Sequence, residues 1–258
     1  MPTVHEIEQS LYAWAPRALA EEWDNVGLLV GSDAREVKRV LIALDVTEWV
    51  AAEAIERGAD LIVAHHPLMN CTWHKVQNVL DDNAQGRLIT ALLKHDISAI
   101  CMHTNLDAAD GGVNDVLART LGLEGLSMLN DEKIGRVGTL KSEKRLEEFL
   151  YDVVQYLGCQ GVRYRDGGKP VHRVAVGGGA CAEYIPQAIA LGCDTFVTGD
   201  VKYHDFLEAD GINLIDAGHF ETENPVCAAI ETYLADKFPR LETVRSTSHK
   251  DVIQYYMK

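Results

Sequence analysis

The chain has 258 residues, 47% of them hydrophobic, and a formal net charge of −15 at neutral pH. This length allows one large or two modest globular domains, while the negative charge disfavours a nucleic-acid surface, which needs clustered Lys and Arg. No apolar run approaches the roughly 20 residues of a membrane span. The amphipathic, acidic start predicts no signal peptide. The six cysteines form no CxxC pair, which favours core thiols in a reducing cytoplasm, and we expect a cytoplasmic protein.

Helices and strands alternate in the first half of the chain. A helix is expected from about Val4 to Glu22, and "RVLIALDVT" (39–47) is typical of a buried strand. Thr47 is expected to cap the next helix and Gly58 to end it. The following elements are the strand "DLIVA" (60–64), a helix at 84–94, the strand "ISAICM" (97–102) and a helix at 113–121. This alternation predicts βαβ units, hence a mostly parallel sheet with helices on both faces.

The middle of the chain, residues 127–169, is more mixed. It contains a strand, "IGRVGTL" (134–140), and a helix, "KRLEEFLYDVVQYLG" (144–158), that Ser142 is expected to cap. Further on, "GGGAC" (177–181) follows a strand and precedes a helix. The favoured interpretation is a tight strand-to-helix turn, and the alternative is a phosphate site at the helix N-terminus.

A weak internal sequence repeat divides the chain into two similar halves. Shifting by 134 positions places "AIERGADLIVAHH" (54–66) on "AIALGCDTFVTGD" (188–200). Downstream, "HTNLD" (103–107) and "HFETE" (219–223) each place a carboxylate four residues after a histidine. Two pairs of similar segments in the same order favour an internal duplication. We therefore expect two similar α/β domains, 1–126 and 127–258, that face one cleft.

Ionisable side chains follow three predicted strands at the point where each strand ends. In parallel α/β sheets, sites form outside the carboxyl ends of the strands. A single histidine there is usually structural, but a group of imidazoles and carboxylates would be costly to bury without a cation. Nitrogen and oxygen donors without cysteine suit Zn, Fe, Mn or Co, and there are about enough for two ions. The residues are His65, His66, His103, Asp107, His219 and Glu223.

Six segments resemble, in order, the motifs of the Nif-three-like dinuclear metal-centre family, whose members are known as GTP cyclohydrolase type 2 homologues. They are "WDNVGLLVG", "LIALDVT", "GADLIVAHHP", "HTNLDAADGGVND", "FVTGD" and "AGHFETE". The resemblance implies two similar α/β domains, a dinuclear centre and a toroidal homohexamer. It implies a lining role for His103 and contributions from Asn25 and Asp45. It does not extend to the inserted central domain of longer relatives. By motif, the metal ligands are His65, His66, Asp107, His219 and Glu223.

These residues predict a metal-dependent hydrolase. Two divalent ions would lower the pKa of a bridging water and polarise a substrate oxygen, and His103 would shuttle a proton. The resemblance suggests a purine nucleotide ring as substrate, and a phosphoester would suit the same chemistry. Lys169, Arg173 and Lys202 could attract such an anion. The alternative is a non-catalytic metal-binding protein with a regulatory or scaffold role. Asp200 and His204 receive no role from the sequence.

Overall fold

The computed structural model describes residues 1–71 and 75–256, and these form two compact units. Unit 1 comprises 1–110 and 227–250, and unit 2 comprises 111–226 and, within the described residues, 251–256. The units differ from the contiguous halves 1–126 and 127–258 that the sequence predicts. The difference arises because the helix at 113–120 packs on strands of unit 2, while a strand at 242–245 pairs with the sheet of unit 1.

The described residues contain strands and helices in alternation. The helices are α1 (Val4–Trp14), α2 (Glu48–Arg57), α3 (Ala84–Lys94), α4 (Thr104–Ala108), α5 (Val113–Thr120), α6 (Leu146–Leu157), α7 (Ile185–Ala190), α8 (Tyr203–Glu208), α9 (His219–Glu223) and α10 (Val226–Lys237). The strands are β1 (Gly27–Val30), β2 (Arg39–Ala43), β3 (Leu61–Ala64), β4 (Ser98–Cys101), β5 (Glu124–Met128), β6 (Arg136–Lys144), β7 (Arg163–Arg165), β8 (Val171–Val176), β9 (Thr195–Thr198), β10 (Asn213–Asp216) and β11 (Glu242–Arg245).

The sheet of unit 1 is mostly parallel, as predicted. Its strand order is β1-β4-β3-β2-β11, and every pair is parallel except β1 with β4. Strands β3 and β4 are buried along their whole length, as expected for a parallel sheet covered on both faces. The Thr47 side chain accepts from the Val50 amide at the start of α2, and Gly58 ends this helix at φ 63°.

The sheet of unit 2 is more mixed than the prediction of mostly parallel strands. Its order is β5-β6-β8-β9-β10-β7, and only β8, β9 and β10 run parallel. The antiparallel neighbours β5 and β6 extend the sheet beyond β8, and β7 pairs antiparallel with β10. The segment 124–144 forms these two strands with a short connection, which permits only an antiparallel pairing between them.

Four strands of each sheet share one topology, which is consistent with internal duplication. In unit 1 the order β1-β4-β3-β2 places an antiparallel edge strand beside the last of three parallel strands. In unit 2 the order β7-β10-β9-β8 does the same. The 134-residue shift brings β3 (61–64) onto β9 (195–198). The predicted α/β fold class, two similar units of sheets and helices, is therefore confirmed.

Two element boundaries differ from the sequence predictions. Helix α1 ends at Trp14 instead of Glu22, since Pro16 disfavours helical geometry at the preceding residue, and a 3-10 turn follows at 17–19. Ser142 lies inside β6 and caps no helix, because α6 begins only at Leu146. All six cysteines are buried free thiols, as predicted. Within residues 1–71 and 75–256, every helix is too short or too polar to cross a bilayer.

Candidate metal centre

The double histidine lies at the point where the chain leaves β3. The strand ends at Ala64, and the amides of His65 and His66 both donate to the carbonyl of Leu44, at 3.1 and 2.9 Å. Two successive amides that share one acceptor turn the chain out of the regular strand. The two imidazole rings consequently lie side by side, with their centroids 4.9 Å apart.

The His65 ring is buried and held in one tautomer. Its Nδ1 lies 2.8 Å from the carbonyl oxygen of Met102, and because a carbonyl can only accept, Nδ1 carries the hydrogen. The lone pair of the neutral ring then belongs to Nε2, which lies 3.6 Å from Asp107 Oδ1. Fixing one ring nitrogen by a hydrogen bond so that the other can coordinate is typical of metal-binding histidines.

The His66 ring is held by a carboxylate. Asp45 accepts a hydrogen bond from His66 Nδ1 at 2.7 Å and lies 3.0 Å from His249 Nε2 through its other oxygen. Burial raises the pKa of Asp45, but the hydrogen bonds from His249 and His66 outweigh it and hold the pKa well below its usual range. Asp45 is therefore an ionised orienting partner for His66. His249 follows β11 and belongs to no motif, so it was not predicted from the sequence.

His103 is the third imidazole of the same group. The ring nitrogens of His65, His66 and His103 offer ligand atoms that all lie within 4.8 Å of one another. His103 Nδ1 donates to Asp24 at 2.9 Å, and the Thr104 amide and hydroxyl donate to the other oxygen of Asp24. Burial raises the pKa of Asp24, but the bonds from His103 and Thr104 lower it to about 2.

The neighbouring residues of the first motif have separate roles. The side chain of Asn25 donates to the carbonyl of Met69 at 2.7 Å, so it anchors a loop, whereas its neighbour Asp24 orients His103. Asn25 was predicted from the sequence and Asp24 was not, although both belong to "WDNVG". Asp107 lies on α4, and His103 is the N-cap residue of this helix. Unit 1 therefore gathers three imidazoles and the carboxylate of Asp107.

Unit 2 contains the matching pair on α9. His219 Nε2 lies 3.1 Å from Glu223 Oε2, and His219 Nδ1 lies 2.8 Å from Asp200 Oδ2. Burial lowers the pKa of His219, but the negative charges of Glu223 and Asp200 outweigh it and raise the pKa to about 11. Asp200 is thus the orienting partner that the sequence left without a role. His204 is exposed on α8.

The glycine-rich loop after β8 makes room for this pair. A Cβ on Gly179 would lie 2.3 Å from Glu223 Oε1 and 3.0 Å from His219 Nε2, and the residue has φ +66°. The Gly178 amide donates to Asn114 and the Gly179 amide donates to Thr222. These bonds occupy the amides that a phosphate would use, which favours the tight-turn interpretation of "GGGAC".

Two of the cations considered for substrate binding lie at the wrong end of the sheet. Lys169 and Arg173 come before Val174, which pairs with Thr195, the first residue of β9. His219, in contrast, follows the carboxyl end of β10. Lys169 and Arg173 therefore lie towards the amino ends of the parallel strands of unit 2, away from the carboxyl end that His219 follows. Lys202 is exposed just before α8.

Comparison with known proteins identifies the family. The model of the Duf34/NIF3 (NGG1p interacting factor 3) family matches residues 2–252. The chain belongs to the Duf34/NIF3 family. A Clostridium perfringens relative of this family, called GTP cyclohydrolase 1 type 2 homolog, is 35% identical over 93% of this chain and 95% of its own length.

Solved Duf34/NIF3 structures have the same fold. The crystal structure of a Bacillus cereus protein related to NIF3 has a TM-score of 0.89 at 27% identity and covers 99% of this chain and 100% of its own. A Staphylococcus aureus hypothetical protein has a TM-score of 0.90 at 31% identity and covers 98% of this chain and 99% of its own. The resemblance drawn from the six motifs is confirmed.

The donor set of this Duf34/NIF3 chain fits divalent metal ions. It consists of imidazoles and carboxylates without thiolates, which suits Zn, Fe, Mn or Co. Three of its four histidines have Nδ1 hydrogen bonded to a carboxylate, and the fourth, His65, to a backbone carbonyl. The described His, Asp and Glu residues therefore form groups that could hold a metal ion.

Proposed function

We propose that the chain is a metal-dependent hydrolase with two divalent ions per chain. The observation that carries the proposal is the group of the buried His65 and His103 and the partly buried His66, in which each ring is oriented through Nδ1. Metal-binding histidines almost always donate their other ring N–H to a carboxylate, a backbone carbonyl or water, as these three rings do. The proposed metal ligands are His65, His66, Asp107, His219 and Glu223.

The protein side chains have distinct tasks in this proposal. When bound, divalent ions lower the pKa of a coordinated water and polarise a substrate oxygen. Asp45 and Asp200 hold the rings of His66 and His219 in place. His103 is the proposed proton carrier, and Asp24, ionised at neutral pH, keeps its ring oriented and stabilises the proton when the ring accepts it.

The substrate class is proposed from the relatives. Their name, GTP cyclohydrolase 1 type 2 homolog, supports hydrolytic opening of a purine nucleotide ring. Hydrolysis of a phosphoester would use the same residues, because a metal pair can stabilise the attacking and the leaving oxygen of a phosphoryl group. A panel of nucleotides that contains both bond types separates the two reactions by their products.

The test combines metal analysis with this hydrolysis panel, with and without chelator. We expect about two metal equivalents per chain, lower content in His65→Ala and Glu223→Gln, and turnover that is lost on chelation. His103→Ala should abolish turnover and keep the metal. His172→Ala, an exposed histidine on β8, is the control. The ligand assignment is wrong if neither His65→Ala nor Glu223→Gln lowers the metal content.

The same experiment separates the hydrolase from a non-catalytic metal-binding protein with a regulatory or scaffold role. In the non-catalytic case, chelation would lower stability or dissociate an oligomer, and no compound of the panel would be hydrolysed in a metal-dependent way. We also propose a homohexamer of 28.5 kDa chains. Light scattering coupled to size exclusion would measure its mass.

A further inference from the structure

A cavity of about 410 Å³ lies in unit 1 beside the imidazole group. Trp23 connects the two, because its ring is 5.8 Å from the His103 ring and it also lines the cavity. This volume is at the lower end of the range for small-molecule sites, about 300–1,000 Å³. The lining residues are Trp23, Asn70, Cys71, Lys75, Val76 and Gln77.

We propose that this cavity binds a planar heteroaromatic ring that carries an anionic group, with the ring on Trp23 and the anion at Lys75. Trp23 is 47% exposed although it stands beside a buried polar group. An exposed indole offers a flat apolar face on which a heteroaromatic ring can stack.

The backbone on both sides of Trp23 is held by hydrogen bonds. Thr104 accepts from the Glu21 amide at 2.9 Å, and the Asp24 amide donates to the carbonyl of Glu21 at 3.0 Å. The Asp24 side chain in turn accepts from Thr104. The residues on both sides of Trp23 are therefore tied to the start of α4. A backbone that is already ordered loses little conformational entropy on binding.

Other residues at the cavity are also organised by hydrogen bonds. Asn25 donates to the carbonyl of Met69, and the Asn70 side chain accepts from the Val76 amide at 3.2 Å. Asn70 has φ 56°, in the left-handed region that Asn tolerates better than most residues. Lys75, the neighbour of Val76 in the chain, also lines the cavity.

Lys75 supplies the charge for an anionic group. It is exposed, and among residues 1–71 and 75–256 it forms no ion pair. In a chain with a net charge of −15, a single cation beside an aromatic surface favours one anionic substituent over a polyanion. The side-chain amide of Gln77 adds a donor and an acceptor that can pair with ring edges.

Identifying this ligand as the substrate rests on the proposed hydrolase function, whereas the binding itself does not. The probes are guanosine 5′-monophosphate, guanosine and ribose 5-phosphate, since the relatives' name points to a guanine ring. Titration calorimetry on the full chain, as purified and after treatment with EDTA, measures Kd for each. We expect the monophosphate to bind at least tenfold more tightly than guanosine or ribose 5-phosphate, with or without EDTA.

Two variants test the two halves of the proposed site. Trp23→Ala should remove the preference for a ring, so that the monophosphate binds no better than ribose 5-phosphate. Lys75→Met should remove the preference for phosphate, so that the monophosphate binds no better than guanosine. Trp23→Phe should keep part of the ring preference and guards against a folding defect in Trp23→Ala.

Matched controls lie outside the cavity in the same unit. Trp49, 60% exposed on α2, and Lys38, also exposed, are substituted as Trp49→Ala and Lys38→Met and should leave every Kd unchanged. The proposal is overturned if the monophosphate fails to bind at millimolar concentration, if EDTA removes binding, or if both preferences survive in Trp23→Ala and Lys75→Met. Failure of the hydrolase proposal would instead appear in the metal content and turnover, with the EDTA-treated titrations intact.

Discussion

Asp24 is the residue on which the orientation of His103 depends. Its carboxylate accepts three hydrogen bonds from His103 and Thr104, which together bring its pKa to about 2 despite the opposing effect of burial. A lowered pKa means that the stabilisation is complete above the unfolded value of about 4 and is lost as the pH falls towards 2. We predict that Asp24→Asn lowers the free energy of unfolding by about 1–2 kcal/mol at pH 7.

Urea unfolding of EDTA-treated protein at pH 7, 5, 4 and 3 measures this effect. The difference between wild type and Asp24→Asn should shrink as the pH falls from about 4 towards 2. Asp33→Asn, at an exposed loop aspartate, should differ little from wild type at every pH. A difference for Asp24→Asn that stays constant across this range would contradict the assigned role.

Gly179 sets how closely the backbone of unit 2 approaches Glu223. Gly179→Ala places a Cβ 2.3 Å from Glu223 Oε1, so the carboxylate must move. Gly192 has a similar positive φ, +72°, with no atom within 4 Å of its Cβ position. Both substitutions should lose about 1 kcal/mol from the left-handed backbone. Only Gly179→Ala should also lower the metal content, as measured by elemental analysis, and equal metal loss in both variants would refute this explanation.

At the scale of elements, Glu53 joins α2 to the segment after β11 by hydrogen bonds. Its buried carboxylate accepts from the Ser246 hydroxyl, the Thr247 amide and hydroxyl, and the Ser248 amide. This segment leads to His249, the second partner of Asp45. We predict that Glu53→Gln loses about 2 kcal/mol of unfolding free energy, because charge-assisted bonds become neutral and fewer.

Hydrogen exchange of the Thr247 and Ser248 amides locates the effect. In Glu53→Gln these amides should exchange at least tenfold faster, while the strands β3 and β4 keep their protection. Glu56→Gln changes an exposed glutamate of the same helix and should leave both amides as they are in wild type. Unchanged exchange in Glu53→Gln would show that the segment is held by other contacts.

The elements that sequence predicts well are those with local signals. Helix α3 has the predicted bounds 84–94, and Gly58 ends α2. The candidate ligands stand out because they directly follow apolar strands. Asp24 and His249, in contrast, act on His103 and Asp45, which lie 79 and 204 positions away in the chain. Contacts between residues so far apart in the chain produce no periodic pattern in the sequence. The roles of Asp24 and His249 can therefore be recognised only in the folded structure.

At the scale of the whole molecule, the proposed ligand set predicts that metal binding by its residues is coupled. Unit 2 supplies only His219 and Glu223 to the proposed ligand set, whereas zinc sites use three or four protein ligands. Losses of metal affinity should then be non-additive between the units. His65→Ala and Glu223→Gln should each weaken zinc binding, and the double variant should lose less than the sum of the two. Competition with a chromophoric chelator measures the three affinities, and strictly additive losses would contradict this coupling.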